Sequence, residues 1–438
     1  MSRSTSSSLQ REGRSQPTNP AVCAALRLPF ERLYVVRFGE DRTSAVAGIQ
    51  SPLSGKEAHV AATVSWDGLR ELASFRAEKG CAISVYVDLD PSVAPTAGDA
   101  ASRVNSLMHE GEMRAESAHE LTHEQREALR ADLTRIREFF EREFERDGSR
   151  GVAVFSAGLD NAWRTLPLGD PVADKIAVGR EFYLSPLVPL VGRGDGALIA
   201  VVGRERGTVY TLRAGKLEEV VDQFDETPGR HDKGGWSQAR YQRHIESLVH
   251  EHLKDVAEQL DRRVRRLQSP RIVVVTTEET RAELEEVLSH EVRNAIVGWT
   301  QAEAHATPAQ FLQAARPILE EWHAKQEREA AERWREESGR GARATAGWVD
   351  TLEAASDGRV ELLLFQEGAD RSAWQCPHCG RVSAEGGPCP LDGTQMEERD
   401  DGLNLAVHQT LTHGGSALAL RHYQDLDPVE GIGALLRY

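Results

Sequence analysis

The chain has 438 residues, room for two to four domains, and is 40% hydrophobic and 28% charged, a composition that builds buried cores. Its formal net charge of −16 argues against a protein that coats nucleic acid without regard to sequence, although it permits a local basic patch. No apolar run reaches the roughly 18 residues of a membrane span. The polar start MSRSTSSSLQREGRSQPTNP lacks the apolar core of a secretory signal, so residues 1–20 read as a disordered tail on a cytoplasmic protein with no membrane partner.

Residues 21–190 read as one α/β unit. The β-branched, apolar runs RLYVVRF (32–38), AISVYVDLD (82–90) and GVAVFSA (151–157) are expected strands. Between the last two, Leu129, Leu133, Ile136, Phe140 and Phe144 recur at three- and four-residue spacing, which predicts a helix with one apolar face. Thr122 and Gln125 are spaced for a capping box at its start, and Gly148 marks its end. Pro91 to Gly98 reads as loop, and Asp88 and Asp90 as strand-end carboxylates facing water.

A second unit, 191–341, opens with ALIAVVGRERGTVYTLRAGKLEEVV, two expected strands around the turn Glu205-Arg206-Gly207. Tyr241, Ile245, Val249, Val256, Leu260 and Val264 then stripe a long helix that runs to the basic cluster RRVRR (262–266), with Pro270 beyond it. RIVVVTT (271–277) is a continuous apolar strand. The helix after it carries Thr276 and Glu279 as an expected capping box, and NAIVGW (294–299) is a further strand. Strand, helix, strand implies parallel pairing in a covered sheet. A charged helix near 308–338 leads to the third unit, 342–438, which holds a helix with Trp348 and Leu352, the strand VELLLFQ, a helix at 402–412, the strand SALALRH and the ending GIGALLRY.

Ahead of the long helix lies the stretch KGGWSQARYQR (233–243). A Gly-Gly pair lets backbone approach a ligand and turns its amides toward an oxyanion. Ser237 is placed to cap the helix, and Gln238 brings one acceptor and two donors, enough to orient a water. Arg230, Lys233, Arg240 and Arg243 outnumber Asp232, which suits a phosphodiester backbone, and Trp236 suits stacking on a base. On residue types alone, the same stretch also reads as a plain turn whose tryptophan packs on its own domain. Arg262 and Arg263 are further candidates for phosphate contact, or a solvated helix end.

The cysteines divide differently. Cys23 and Cys81 stand alone and read as small buried hydrophobes. Cys376, Cys379 and Cys389 cluster in CPHCGRVSAEGGPCPLDG, where Cys-Pro-x-Cys-Gly is echoed by Cys-Pro-x-Asp-Gly. Three thiolates with Asp392 as fourth donor suit a closed, structural Zn²⁺ site, with His378 inside the first knuckle as the competing donor. His244, His250 and His252 lack the i, i+4 spacing of a helical metal pair and read as surface histidines, and no Walker-type phosphate loop is present.

Three stretches in order carry a resemblance: VYVDLDP (85–91), the Gly234-Gly235-Trp236-Ser237-Gln238 loop, and the terminal GIGALLRY (431–438). The sequence resembles the archaeal and eukaryotic class-1 peptide-chain release factor family, which includes Pelota, and within it the bacterial branch related to peptidyl-tRNA hydrolases. The resemblance implies an α/β protein of three domains: an N-terminal α/β domain, an RNase H-like middle domain bearing the loop, and an α/β/α C-terminal domain with a zinc-knuckle insertion. It implies that Gly234, Gly235 and Gln238 act at a peptidyl-tRNA ester on the ribosomal large subunit, at the A site, in ribosome rescue. It leaves a translational GTPase as an open third partner. The departure is that Trp236 and Ser237 stand between the glycines and the glutamine. Two other readings stay open: a non-catalytic hibernation factor plugging the A site, and an adaptor for structured RNA.

Overall fold

The computed structural model describes residues 64–117, 121–191, 196–220, 238–267, 270–303, 306–341 and 343–438. The tail, Cys23 and the expected strand at 32–38 lie outside the described residues. The first helix, α1 (Trp66–Ser74), starts where the Ser65 side chain accepts a hydrogen bond from the Gly68 amide. It is followed by β1 (Ala82–Asp88), α2 (Ala97–Ser117), α3 (His123–Arg142), β2 (Gly151–Ala157), β3 (Ala162–Leu168) and β4 (Lys175–Gly179). The strands form an antiparallel sheet in the order β3-β2-β1-β4. Alternation along β1 and β2 divides two cores. Ile83, Val85, Val87, Val152 and Val154 join Leu129, Leu133 and Ile136 beneath α2 and α3. Tyr86, Ala153 and Phe155 face the other way.

The capping box of Thr122 and Gln125 forms as the spacing predicts. The helix nonetheless stops at Arg142, where the Glu143 amide closes onto the Phe139 carbonyl and Phe139, Phe140 and Phe144 pack together. Gly148, at φ +81°, instead serves the turn into β2. Helix α2 was not apparent from periodicity, and neither were β3 and β4. Asp90 does not face water: it is buried and paired with Arg150, whose Nε lies 2.9 Å away. Hydrogen bonds from Ser92, then Arg150, hold its carboxyl well below the usual carboxylate range.

The second sheet contains β5 (Leu198–Val202), β6 (Gly207–Arg213), β7 (Lys216–Glu219), β8 (Ile272–Val275) and β9 (Ile296–Thr300), in the order β7-β6-β5-β8-β9. The first three are antiparallel, and β5, β8 and β9 run parallel. The expected pair of strands is thus three, and Gly207 begins β6 rather than closing a turn. Helices α4 (Gln238–Val264), α5 (Glu278–Val287) and α6 (His290–Ala295) cover one face through Leu253, Val256, Leu260, Leu284 and Val292. The expected strand at 294 begins two residues later, because α6 runs to Ala295. The cap of α5 is Thr277, not Thr276: Thr276 spends its buried hydroxyl on the Val202 carbonyl of β5, while Thr277 accepts from the Thr280 amide.

The other face is covered by α7 (Pro308–Gly339), which at about 1.5 Å per residue extends roughly 48 Å. Its first half, through Phe311, Leu312, Ala315 and Leu319, packs on the second sheet. Its second half, through Ala331 and Trp334, packs on Leu364, Leu420 and Leu435. Those residues belong to a third sheet of β10 (Ala344–Ala346), β11 (Val360–Gln366), β15 (Ser416–Leu420) and β16 (Ile432–Leu436), in the order β10-β16-β11-β15. Its other face carries α8 (Trp348–Ser356) and α9 (Gly402–Thr412). Between β11 and α9 the chain makes a small sheet of β12 (Ala373–Gln375), β13 (Val382–Ser383) and β14 (Glu397–Arg399).

One helix therefore serves two sheets. Trp334 is its anchor on the third: buried, donating Nε1–H to the Thr345 carbonyl at 2.8 Å, with room made by Gly433, where a Cβ would come within 2.7 Å of that nitrogen. Trp334→Ala is expected to cost about 3–5 kcal/mol, because it leaves a large cavity and removes the indole hydrogen bond to the Thr345 carbonyl. Urea unfolding checks this, with a smaller loss for Gly433→Ala, which crowds the same indole.

Candidate functional site

Three features bear on function. The first is the entry to α4. Gln238 is its first residue, so the helix starts where the sequence places the carboxamide. Gly234, Gly235, Trp236, Ser237, Arg230 and Lys233 lie outside the described residues, as do the side chains of Gln238, Arg240 and Arg243. A helix N-terminus leaves its first amides without partners inside the helix and carries the positive end of the helix dipole. Further along α4, Val249, Leu253, Val256, Leu260 and Val264 are buried against the second sheet. Arg262 is exposed and Arg263 half-buried at the far end of the helix. They stand 24 residues from Gln238, about 36 Å along the axis, so the candidate phosphate contacts do not form one patch. Arg265 pairs with Asp261 at 2.7 Å. His250 is exposed, but His252 departs from the surface reading: it is half-buried, next to Gly207.

The second feature is the cysteine cluster, whose local geometry repeats. In one knuckle the Gly380 amide donates to the Cys376 carbonyl and the Cys376 amide to the Arg381 carbonyl. In the other, the Gly393 amide donates to the Cys389 carbonyl and the Cys389 amide to the Thr394 carbonyl. Both glycines have positive φ, +80° and +76°, which closes each knuckle without a Cβ penalty. Asp392 thus occupies in the second knuckle the position that Cys379 holds in the first. Ligand atoms of Cys376, Cys379, Cys389 and Asp392 all lie within 4.8 Å of one another, and the four could bind a metal ion. Cys379 Sγ is 3.5 Å from Cys389 Sγ, and Cys376 Sγ is 3.6 and 3.7 Å from the two Asp392 oxygens. His378 sits outside this set and touches Asp392 through Nδ1 at 2.9 Å. The Thr394 amide and then His378 hold the Asp392 carboxyl well below its ordinary range. Cys81, by contrast, is only half-buried. Burial and then Asp132 push its thiol up, which makes it a poor nucleophile.

The third feature was not visible in the sequence. Glu181, with its side chain 15% exposed, takes Arg76 Nη1 at 3.3 Å and Gln375 Nε2 at 3.4 Å, and lies 4.0 Å from His408 Nδ1. These four residues come from four distant parts of the chain. Burial holds His408 below its usual value, against Glu181 and Asp401, which pull it up, and with Arg76, which lowers it further. The folded protein therefore favours neutral His408, and stability is lost as pH falls below the unfolded value of about 6.5. The melting temperature is expected to drop on going from pH 7.5 to 5.5, and His408→Gln should flatten part of that drop in thermal melts.

Among the described residues no helix is long and apolar enough to cross a membrane. Residues 183–327 match the family model described as bacterial archaeo-eukaryotic release factor family 10. Peptide chain release factor subunit 1 of Archaeoglobus fulgidus is 26% identical over 248 residues, 52% of this chain and 60% of the relative. That of Methanobrevibacter smithii is 26% identical over 211 residues, 46% of this chain and 50% of the relative. The chain thus spans about half to three-fifths of the length of these curated relatives. Among solved structures, an archaeal translation termination factor is similar over 86% of this chain and 99% of its own at 15% identity and a TM-score of 0.24. Pelota of Archaeoglobus fulgidus is similar over 68% of this chain and 82% of its own at 15% identity and a TM-score of 0.30. The match of residues 183–327 and these relatives support a likeness to the bacterial archaeo-eukaryotic release factor family.

Proposed function

We propose that the protein is a ribosome-associated peptidyl-tRNA hydrolase that acts in the cytoplasm in ribosome rescue. The observation that carries this reading is the position of Gln238 at the head of α4, directly after Gly234-Gly235-Trp236-Ser237, within the segment that matches the family. In this reading water attacks the ester carbonyl carbon, the oxyanion is met by loop amides, and the tRNA hydroxyl departs with a proton. Gln238 orients the water, and Gly234 and Gly235 give the backbone its close approach. Arg230, Lys233, Arg240 and Arg243 meet phosphates, Trp236 stacks, and Arg262 and Arg263 reach a separate stretch of RNA.

The domain organisation follows the same reading: 21–190, 191–341 and 342–438, with α7 shared between the last two. The order β7-β6-β5-β8-β9, three antiparallel strands followed by two parallel ones, supports an RNase H-like middle domain. A sheet between α8 and α9 on one side and the end of α7 on the other supports an α/β/α third domain. For the knuckle we infer zinc. Zn–S of about 2.3 Å and Zn–O of about 2.0 Å make a tetrahedron with edges of about 3.5–3.8 Å. The Cys379–Cys389 sulfur–sulfur separation of 3.5 Å and the Cys376–Asp392 sulfur–oxygen separations of 3.6 and 3.7 Å match those edges, and all four donors lie within 4.8 Å of one another. Four protein donors leave no open position, so the ion is structural and takes no part in hydrolysis.

The two residues inserted before Gln238 favour a second reading, a hibernation factor that occupies the A site without catalysis. Purified peptidyl-tRNA complexes of 70S ribosomes and of isolated 50S subunits separate the two. Release of peptide on addition of the protein supports the hydrolase; stable sedimentation without release supports the plug. No sedimentation with either particle points to an adaptor for other RNA.

A further inference from the structure

We propose that the metal knuckle is a brace that fixes the first sheet against the third, so that loading it sets the orientation of the N-terminal unit. The inference rests on the zinc reading above. Residues of the knuckle supply the atoms that grip the N-terminal unit. Arg76, just after α1, donates Nη2–H to the Pro377 carbonyl at 3.5 Å, between the first two cysteines, while its Nη1 pairs with Glu181. Gln375, immediately before Cys376, donates to the other oxygen of Glu181. From the opposite side α9 holds the same loop: Gln409 donates to the Gly380 carbonyl at 2.8 Å, and His408 lines the junction. Ser356 of α8 exchanges hydrogen bonds with the backbone of Val382 at 3.0 Å in both directions.

Apolar packing supplies adhesion here. Leu69, Leu72, Phe182, Leu184 and Leu187 share one core with Leu405 and Val407 of α9. Such contacts are non-directional and admit a range of relative angles. Some of the directional bonds that choose one angle pass through the knuckle, at Gln375 and Pro377, with Gln409 tying Gly380 of the same loop to α9; others, from Leu184 and Ser185 to Asn404, reach α9 directly. The thiolates and carboxylate, drawn onto one ion, fix the backbone of this segment. Without that tie it is a short Gly- and Pro-containing excursion with a minimal core of Cys376, Cys389 and Met396.

Hydrogen–deuterium exchange on the full chain tests this at a site away from the knuckle. The Leu184 and Ser185 amides donate to Asn404 Oδ1 at 2.7 and 3.3 Å, so peptides over 182–188 report the docking directly. Removing zinc with a chelator is expected to raise exchange there by about tenfold, and re-adding zinc to restore protection. Glu181→Ala should raise it similarly while the protein keeps one equivalent of zinc by elemental analysis. If 376–394 opens on chelation while 182–188 stays protected, or if Glu181→Ala changes nothing at 182–188, the knuckle is an isolated appendage and the inference fails. A chain that takes up no zinc sinks the metal reading itself, and elemental analysis tells that result apart from a failed brace.

Discussion

Gln238→Ala is expected to lower the rate of peptide release from peptidyl-tRNA–ribosome complexes by about 10²–10³-fold, the cost of removing one preorganised polar group from a transition state. Co-sedimentation with ribosomes should be unchanged. The substitution is structurally mild. Alanine is the best helix former, and the position is the first residue of α4, more than two turns ahead of the buried Val249. Loss of release therefore cannot be assigned to loss of fold, and an unchanged melting temperature would document that. Single-turnover measurements are the informative ones, because they separate the chemical step from product departure. A variant that releases peptide at the parental rate removes Gln238 from the mechanism. The water would then have to be held by the ribosome or tRNA, and the protein's part would reduce to occupancy.

How far the sequence foretells the structure depends on whether the determining contacts are local. The Thr122–Gln125 box and strand β2 were legible because each is set by residues within a few positions of one another. The knuckle was legible for the same reason: its donors lie within 17 residues, and the pattern Cys-Pro-x-Cys-Gly dictates its own turn. Helix α2 was not. Its residues Gly98, Asn105 and Gly111 weaken the periodic signal, and Gly111 is there because Ile176 and Leu133 press against it, where a Cβ would lie 2.6 and 2.9 Å away. Strand β3 has mostly half-buried residues at a sheet edge, so its pattern is faint. Thr276 and Thr277 are equivalent to any local rule; only the Val202 carbonyl in the neighbouring strand decides which one caps. The Arg76–Glu181–Gln375–His408 junction has no local signature at all, because its members meet only after the first and third sheets have packed together. As for the loop, the sequence carries its residue types and spacing, and residues 230–237 lie outside the described residues.

Metal removal is expected to have the largest effect on stability. Structural zinc in small knuckles is bound with an apparent 10–16 kcal/mol near neutral pH, and in such segments binding energy is folding energy. Cys376 and Cys389 are buried, so Cys376→Ser should lose the ion and leave a poorly liganding hydroxyl in the core of the knuckle. The expected result is less than 0.1 equivalent of zinc, protease cleavage within 376–394, and a lower first melting transition, with the second sheet and α4 intact. Asp392 gives the more discriminating result. The two knuckles share the same pair of backbone hydrogen bonds, with Cys376 and Cys389 making the same amide contacts, so a thiolate at 392 meets the kind of turn that already holds Cys379. Asp392→Cys is therefore expected to bind zinc more tightly, and Asp392→Asn to bind it at least tenfold more weakly, because an amide brings no charge to offset the cation. His378→Ala should cost less than either loss, since its imidazole orients Asp392 and stands outside the four donors. The order Cys376→Ser, Asp392→Asn, His378→Ala in competition with a chromogenic chelator ranks the donors; a reversal of the last two would make His378 the fourth ligand and Asp392 its support.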